Sequence, residues 1–132
     1  MIKTYGLTHI TLKVKDVKRS YQFYHKVFGA EKMYNSEGFI QFQTPGCHDI
    51  IVLQEGERSN GQGNGIVHFG FRLVRAENIE DIVSVVEAAG GQIKDQGEFE
   101  AGEPYVFIYD PDGYEVEIWY EKLSPIHQVS FN

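Results

Sequence analysis

The sequence predicts an α+β fold made of two tandem copies of one strand–helix–strand–strand–strand unit. Two observations carry this. Strict apolar–polar alternation, the mark of a strand with one buried face, opens each half: THITLKV (8–14) and IVHFGFRLV (66–74). Each stretch is followed by one apolar stripe at helical spacing and then by three short strand-like runs. A third observation separates the halves. GERSNGQGNG (56–65) holds no apolar residue and is rich in Gly, Asn and Ser, the composition of a loop.

In the first strand Ile10, Leu12 and Val14 alternate with His9, Thr11 and Lys13. Asp16 stands where a side-chain oxygen can cap the following helix. Val17, Tyr21, Tyr24, Val27 and Phe28 make that helix's stripe, and Gly29 ends it. EKMYN, GFIQFQ and DIIVLQE supply three strands. In the second half Val67, Phe69, Phe71 and Leu73 alternate with His68, Gly70 and Arg72. Asn78 caps a helix carrying Ile79, Ile82, Val83 and Val86, with Asp81 in its first turn, where a carboxylate suits the helix dipole. Gly90 and Gly91 stop it. Strands follow around QIKDQ, PYVFIY and YEVEIWYE. The last two are joined by Asp110-Pro111-Asp112-Gly113, a turn in which Pro presets φ and Gly suits the close. The units span about 5–55 and 66–121, with a linker at 56–65 and a tail at 122–132, within a single domain of 132 residues.

Composition narrows the function. The net charge of −7 argues against nucleic acid or an anionic membrane as partner, since both favour a basic face. The one cysteine, Cys47, allows no internal disulfide and suits a reducing cytoplasm. The opening MIKTYGLTHI is too polar for a signal peptide, and no apolar run is long enough to span a membrane. The expectation is a soluble, cytoplasmic protein.

His9 and His68 open the two halves at matching points. Each lies on the polar side of a strand whose other side is apolar, as does Glu117 in YEVEIWYE. If the apolar sides pack on the helices, these polar sides are free to line a cleft. Two imidazoles and a carboxylate form a common site for a first-row divalent metal with open positions. On alternation alone, three ordinary solvent-facing side chains are the more usual outcome. Glu115 lies two residues before Glu117 on the same face, about 6.6 Å along a strand. It is a candidate base, a group supporting the ligand, or a solubilising carboxylate. Trp119 is placed to wall the cleft or to pack in the core.

These residues carry a resemblance. GLTHITLKVKDVKRSYQFYHKVFGA, GIVHFGF and FIYDPDGYEVEIWY together make the chain similar to the vicinal oxygen chelate superfamily. That superfamily includes glyoxalase I, fosfomycin-resistance enzymes, extradiol ring-cleaving dioxygenases and bleomycin-binding proteins. Its members often carry a DPDG turn followed four residues later by a metal-binding Glu, which here is Glu117. The resemblance implies paired βαβββ modules forming a curved, partly open eight-stranded sheet around a cleft, with the helices outside. It implies a divalent ion (Zn, Ni, Mn or Fe) held by His9, His68 and Glu117, a small-molecule substrate, and a homodimer. Because His9 and Glu117 belong to different modules, such a site is formed within one chain or across two.

The resemblance is incomplete at substrate-specific positions. Where glyoxalase I takes a further ligand from the last strand of the first module, this chain aligns Ile51 or Val52, with Asp49 two or three residues away. Thr11 matches a Thr near the reacting centre of fosfomycin-resistance enzymes and is a catalytic candidate. Phe107, however, replaces their usual Tyr, and EKLSPIHQVSFN has no Arg to hold a phosphonate. GEFEAGEPYV lacks the His of extradiol enzymes, and Tyr105 and Tyr109 are assigned to the side of the strand opposite Phe107. His25, His48 and His127 are expected at the surface. The leading expectation is a glyoxalase-like lyase or isomerase. The alternatives are an extradiol-type dioxygenase and a non-catalytic binding protein of the bleomycin-resistance type.

Overall fold

A computed structural model describes residues 1–3, 5, 7–57, 66 and 68–122. The order is β1 (Ile10–Val14), α1 (Val17–Phe28), β2 (Glu31–Ser36), β3 (Phe39–Gln43), β4 (Ile51–Glu55), β5 (Phe69–Arg72), α2 (Ile79–Ala88), β6 (Gln92–Glu98), β7 (Pro104–Tyr109) and β8 (Glu115–Trp119). The eight strands form two four-stranded sheets of matching topology, β1-β4-β3-β2 and β5-β8-β7-β6. In each, the first and last strands of a module pair in parallel and the remaining pairs are antiparallel. This is the expected α+β arrangement of two βαβββ modules. Most of the 56–65 linker and nearly all of the tail, including His127, lie outside the described residues. Among those described, no helix is long and apolar enough to cross a membrane.

Local chemistry sets the elements much as the sequence predicts. Asp16 caps α1 by accepting from the Lys18 and Arg19 N–H groups, and Gly29 ends it in the left-handed region at φ 69°. Asn78 caps α2 through the Glu80 N–H. Both strands that open the modules are shorter than alternation suggests. β1 begins at Ile10 and β5 at Phe69, so His9 and His68 stand at strand mouths rather than inside strands.

The buried faces meet in one core. Leu12, Val14, Tyr24, Phe42 and Leu53 come from the first module, and Val86, Val106, Ile108, Val116 and Ile118 from the second. Tyr24 is fully buried, stacks on Phe42 of β3 at 5.2 Å and lies tilted 6.4 Å from Phe71 of β5, bridging the sheets. The β7–β8 turn clasps the other module. Asp110 accepts from the Tyr24 hydroxyl at 2.6 Å. Asp112 accepts from the Lys15 N–H at 3.0 Å, from Arg19 at 2.8 Å and from the Ser20 hydroxyl. The Tyr114 hydroxyl donates to the Lys13 carbonyl. These contacts gather at the C-terminal end of β1; His9 lies at its opposite end.

The polar sides of β5, β7 and β8 share one face of the second sheet. The parallel register pairs Gly70 with Glu117, and the antiparallel register pairs Phe107 with Glu117 and Tyr109 with Glu115. Tyr105 and Tyr109 therefore lie on the same face as Phe107. This corrects the expectation that they face the other way, because residues two apart in a strand share a side.

Candidate metal centre

His68 stands between two carboxylates. Its Nδ1 lies 3.3 Å from Glu115 Oε2, and its Nε2 lies 3.3 Å from Glu117 Oε2. The second carboxylate oxygen of Glu115 is taken by the Lys94 ammonium, whose pKa that contact raises above its ordinary value. Each ring nitrogen of His68 therefore faces one carboxylate oxygen, and the Nε2–Glu117 pair is a nitrogen and an oxygen donor that one cation could bridge.

The spacing suits a metal ion. Two ligand atoms bound at about 2.1 Å to one ion sit roughly 3.0–3.4 Å apart in octahedral or tetrahedral geometry. The imidazole nitrogen and carboxylate oxygen also match the donor preferences of Zn, Mn, Fe and Ni sites. Gly70 lets β5 lie close beside Glu117, since a Cβ there would lie 3.0 Å from the Glu117 carbonyl oxygen. The donors of the second module thus fit a divalent ion.

The other expected residues are placed as follows. His9 is exposed, with Nδ1 2.8 Å from the Thr8 hydroxyl. It lines a cavity of about 200 Å³ together with Asp49, Phe69 and Gly70. Among the described residues no three His, Cys, Asp or Glu side chains gather in metal-binding geometry, so His9 does not complete a three-ligand set with His68 and Glu117 within the single chain. Thr11 is exposed on β1 and pairs with Val52. That register identifies Val52 as the counterpart of Glu117, because Thr11 and Gly70 each follow the opening His by two residues. Asp49 is engaged in its own turn, accepting from the Thr44 N–H and hydroxyl. His25, Cys47 and His48 are exposed, and His25 Nδ1 lies 2.9 Å from the Ala30 carbonyl.

Two features of this face were missed in the sequence. One is Lys94, which reaches Glu115 from a β-bulge between Ile93 and Asp95. Two consecutive side chains, Lys94 and Asp95, consequently serve the same face, an arrangement that simple alternation hides. The other is an aromatic wall. Phe107 meets the His68 ring edge-on at 5.3 Å, and Phe99 stacks on Tyr105 at 4.0 Å and meets Trp119 edge-on at 5.4 Å. The Trp119 indole N–H is buried and has no hydrogen-bond partner among the described residues. The alternation of PYVFIY carried the signal for Tyr105 and Phe107; nothing local signalled Phe99.

Residues 6–118 match the Glyoxalase/Bleomycin resistance protein/Dioxygenase superfamily. The chain is 30% identical over 125 residues to a trivalent organoarsenical cleaving enzyme of Bacillus sp. (strain MD1), covering 88% of this chain and 73% of that protein. It is 31% identical over 120 residues to the fosfomycin resistance protein FosX of Listeria innocua, covering 86% and 87%. The crystal structure of FosX from Listeria monocytogenes superposes with a TM-score of 0.75 at 26% identity, covering 92% of this chain and 94% of that one. Motifs, module topology and these matches agree, and the chain belongs to the glyoxalase/bleomycin resistance protein/dioxygenase superfamily.

Proposed function

We propose that this protein is a divalent-metal-dependent enzyme that binds a small substrate through oxygen at a centre made by His9, His68 and Glu117. The observation that carries the reading is the placement of His68 Nε2 3.3 Å from Glu117 Oε2, with the other ring nitrogen facing Glu115. A divalent ion held there would supply Lewis-acid stabilisation of negative charge developing on a substrate oxygen, the chemistry of a lyase or isomerase. Mn(II) is bound in a FosX structure 27% identical to this chain, which supports a metal of that class.

The third ligand, His9, is delivered by a second copy of the chain in a homodimer. What supports this is the intrachain packing. It ties the C-terminal end of β1 to the start of β8 through Lys13, Lys15, Asp112 and Tyr114, and leaves His9 at the far end of its strand. Co-expressing His9→Ala and Glu117→Ala chains tests it. A shared site predicts that the mixed dimer regains one intact centre for two chains, whereas a site within one chain predicts none.

The residues around the centre narrow the substrate. Arg72 and Lys94, the cations identified on this face, are paired with Glu121 and Glu115. A phosphonate dianion is poorly served by cations already engaged. A soft trivalent arsenical favours paired thiols, and Cys47 is the only cysteine. Phe99, Tyr105, Phe107 and Trp119 instead suit a substrate with an apolar or aromatic body.

A second reading, an iron-dependent dioxygenase, is favoured by one observation. Val52 stands where a fourth protein ligand would come from, which leaves a two-His, one-carboxylate set of the kind iron oxygenases use. Protein stripped by chelator and reloaded with Zn(II), Ni(II), Mn(II) or, anaerobically, Fe(II) separates the readings. Turnover of hemithioacetals without oxygen uptake supports the lyase or isomerase. Oxygen uptake on catechols with Fe(II) supports the second reading. Ligand retention that a chelator leaves untouched, without turnover, supports a binding protein.

A further inference from the structure

We propose that Lys94 is a positioning residue for the metal-binding histidine. It fixes the Glu115 carboxylate so that this group accepts from the His68 Nδ1–H and leaves Nε2 to the ion. The inference rests on the metal centre proposed above and adds a residue that no motif assigns.

The argument begins with the bulge. β6 pairs Ile93 with Ile108 and Asp95 with Phe107, and Lys94 is the extra residue between them. Ile93 packs against the core, so regular alternation would send Asp95 back toward the core as well. The bulge instead puts Lys94 and Asp95 together on the site face. Asp95 accepts from the Tyr105 hydroxyl at 3.3 Å. The Lys94 ammonium lies 6.0 Å from the centroid of the Tyr109 ring and contacts Glu115 Oε1. Bulges recur where a strand must re-aim a side chain.

Glu115 thereby has its two oxygens assigned, Oε1 to Lys94 and Oε2 to the His68 ring at 3.3 Å. An ionised carboxylate is acceptor-only, and with an ion at Nε2 the proton of the neutral ring is left to Nδ1, the nitrogen facing Glu115. A histidine whose distal N–H is held this way has a fixed ring orientation and a more basic ligating nitrogen. Without Lys94, Glu115 is free to turn to solvent or toward the cation itself. The corresponding bulge in the first module, between Lys32 and Tyr34, presents Met33, which receives only a weak contact from Gln41. The repeat therefore carries the bulge in both modules but the cation in one, the one that holds His68 and Glu117.

Mn(II) titration by calorimetry on the untagged full chain tests the proposal through the sign of the effect. Removing a positive charge beside a cation site strengthens cation binding on electrostatic grounds alone. Loss of positioning weakens it, by about 10–100-fold for a partner of this kind. The expectation is that Lys94→Met weakens Mn(II) binding, Lys94→Arg restores it, and Lys94→Met adds no further loss in a Glu115→Gln background. Nitrogen-15 NMR of the Zn(II)-loaded protein should show a His68 Nδ1–H protected from solvent exchange in wild type and exchanging faster in Lys94→Met. Unchanged or tighter binding in Lys94→Met, with Mn(II) binding lost in Glu117→Ala, overturns the role of Lys94 and leaves the metal centre standing. Equal binding by wild type and Glu117→Ala removes the metal centre and this proposal with it.

Discussion

Gly70 lies directly beside Glu117 in the parallel pairing of β5 with β8, so close that a methyl group at residue 70 would sit 3.0 Å from the Glu117 carbonyl oxygen and 3.2 Å from its Cβ. The neighbour is backbone and cannot swing aside as a flexible side chain would. Gly70→Val is expected to push β8 away from β5 and to displace the Glu117 carboxylate. The cost should be about 1–3 kcal/mol in stability, as for overpacking generally, with a larger proportional loss in metal affinity. Urea unfolding and Mn(II) titration on the same variant check the two parts.

The Tyr24–Asp110 contact predicts a pH dependence. Burial, first of all, and then the neighbouring Asp110 carboxylate push the Tyr24 phenol well above its ordinary value. A raised pKa in the folded state means that the folded chain keeps a proton the unfolded chain gives up. The contribution is fully present below the ordinary tyrosine value near 10 and is lost as pH rises beyond it. Tyr24→Phe loses the hydrogen bond, at about 1–3 kcal/mol with Asp110 left buried, but escapes the alkaline loss. The stability gap between wild type and Tyr24→Phe should therefore narrow by about 1.4 kcal/mol between pH 8 and pH 11, measured by urea unfolding. A gap that stays constant would count against a buried neutral phenol.

Asp112 ties the β7–β8 turn to the beginning of α1, and its side chain is only 3% exposed. Asp112→Ala leaves the Lys15 N–H and the Ser20 hydroxyl without this acceptor. A loss of about 2–4 kcal/mol is expected from the broken network. Because the turn leads straight into Glu115 and Glu117, metal affinity should fall as well. Asp112→Asn, which keeps an acceptor oxygen, should lose less on both counts.

Gly91 follows α2 and is packed on three sides. A Cβ there would lie 2.7 Å from Val86 Cγ1, 2.9 Å from Phe23 Cε2 and 3.1 Å from the Tyr109 carbonyl oxygen. Gly91→Ala should destabilise the fold by about 1–3 kcal/mol without altering the candidate centre. A thermal melt that drops while Mn(II) affinity holds would separate core packing from site geometry.

Much of the fold was legible because its periodic and capping signals are local. Asp16, Gly29 and Asn78 mark helix ends by side-chain and backbone chemistry that depends on few neighbours. The alternation of EVEIW reports a strand with one buried face, and it placed Glu115, Glu117 and Trp119 on the other side as found. The rest depended on tertiary structure. The DPDG turn reads as a hairpin close, but its two carboxylates hold α1 of the other module, a partnership about ninety residues away in sequence. Lys94 was illegible because a bulge breaks the period on which the reading relies. Val52 could be distinguished from Ile51 as the counterpart of Glu117 only by the parallel register of β1 with β4. His9 and His68 were recognisable as a matched pair by position, but whether they meet depends on tertiary structure and assembly, which alternation does not report.

The central claim is that Glu117 and His68 hold a metal ion. Elemental analysis of untagged wild-type protein beside Glu117→Ala tests it most directly. The account predicts a tightly held divalent metal in wild type and its loss from Glu117→Ala with the fold intact. Equal metal in the two proteins, or none taken up by either on exposure to Mn(II), Zn(II), Ni(II) and Fe(II), would contradict it.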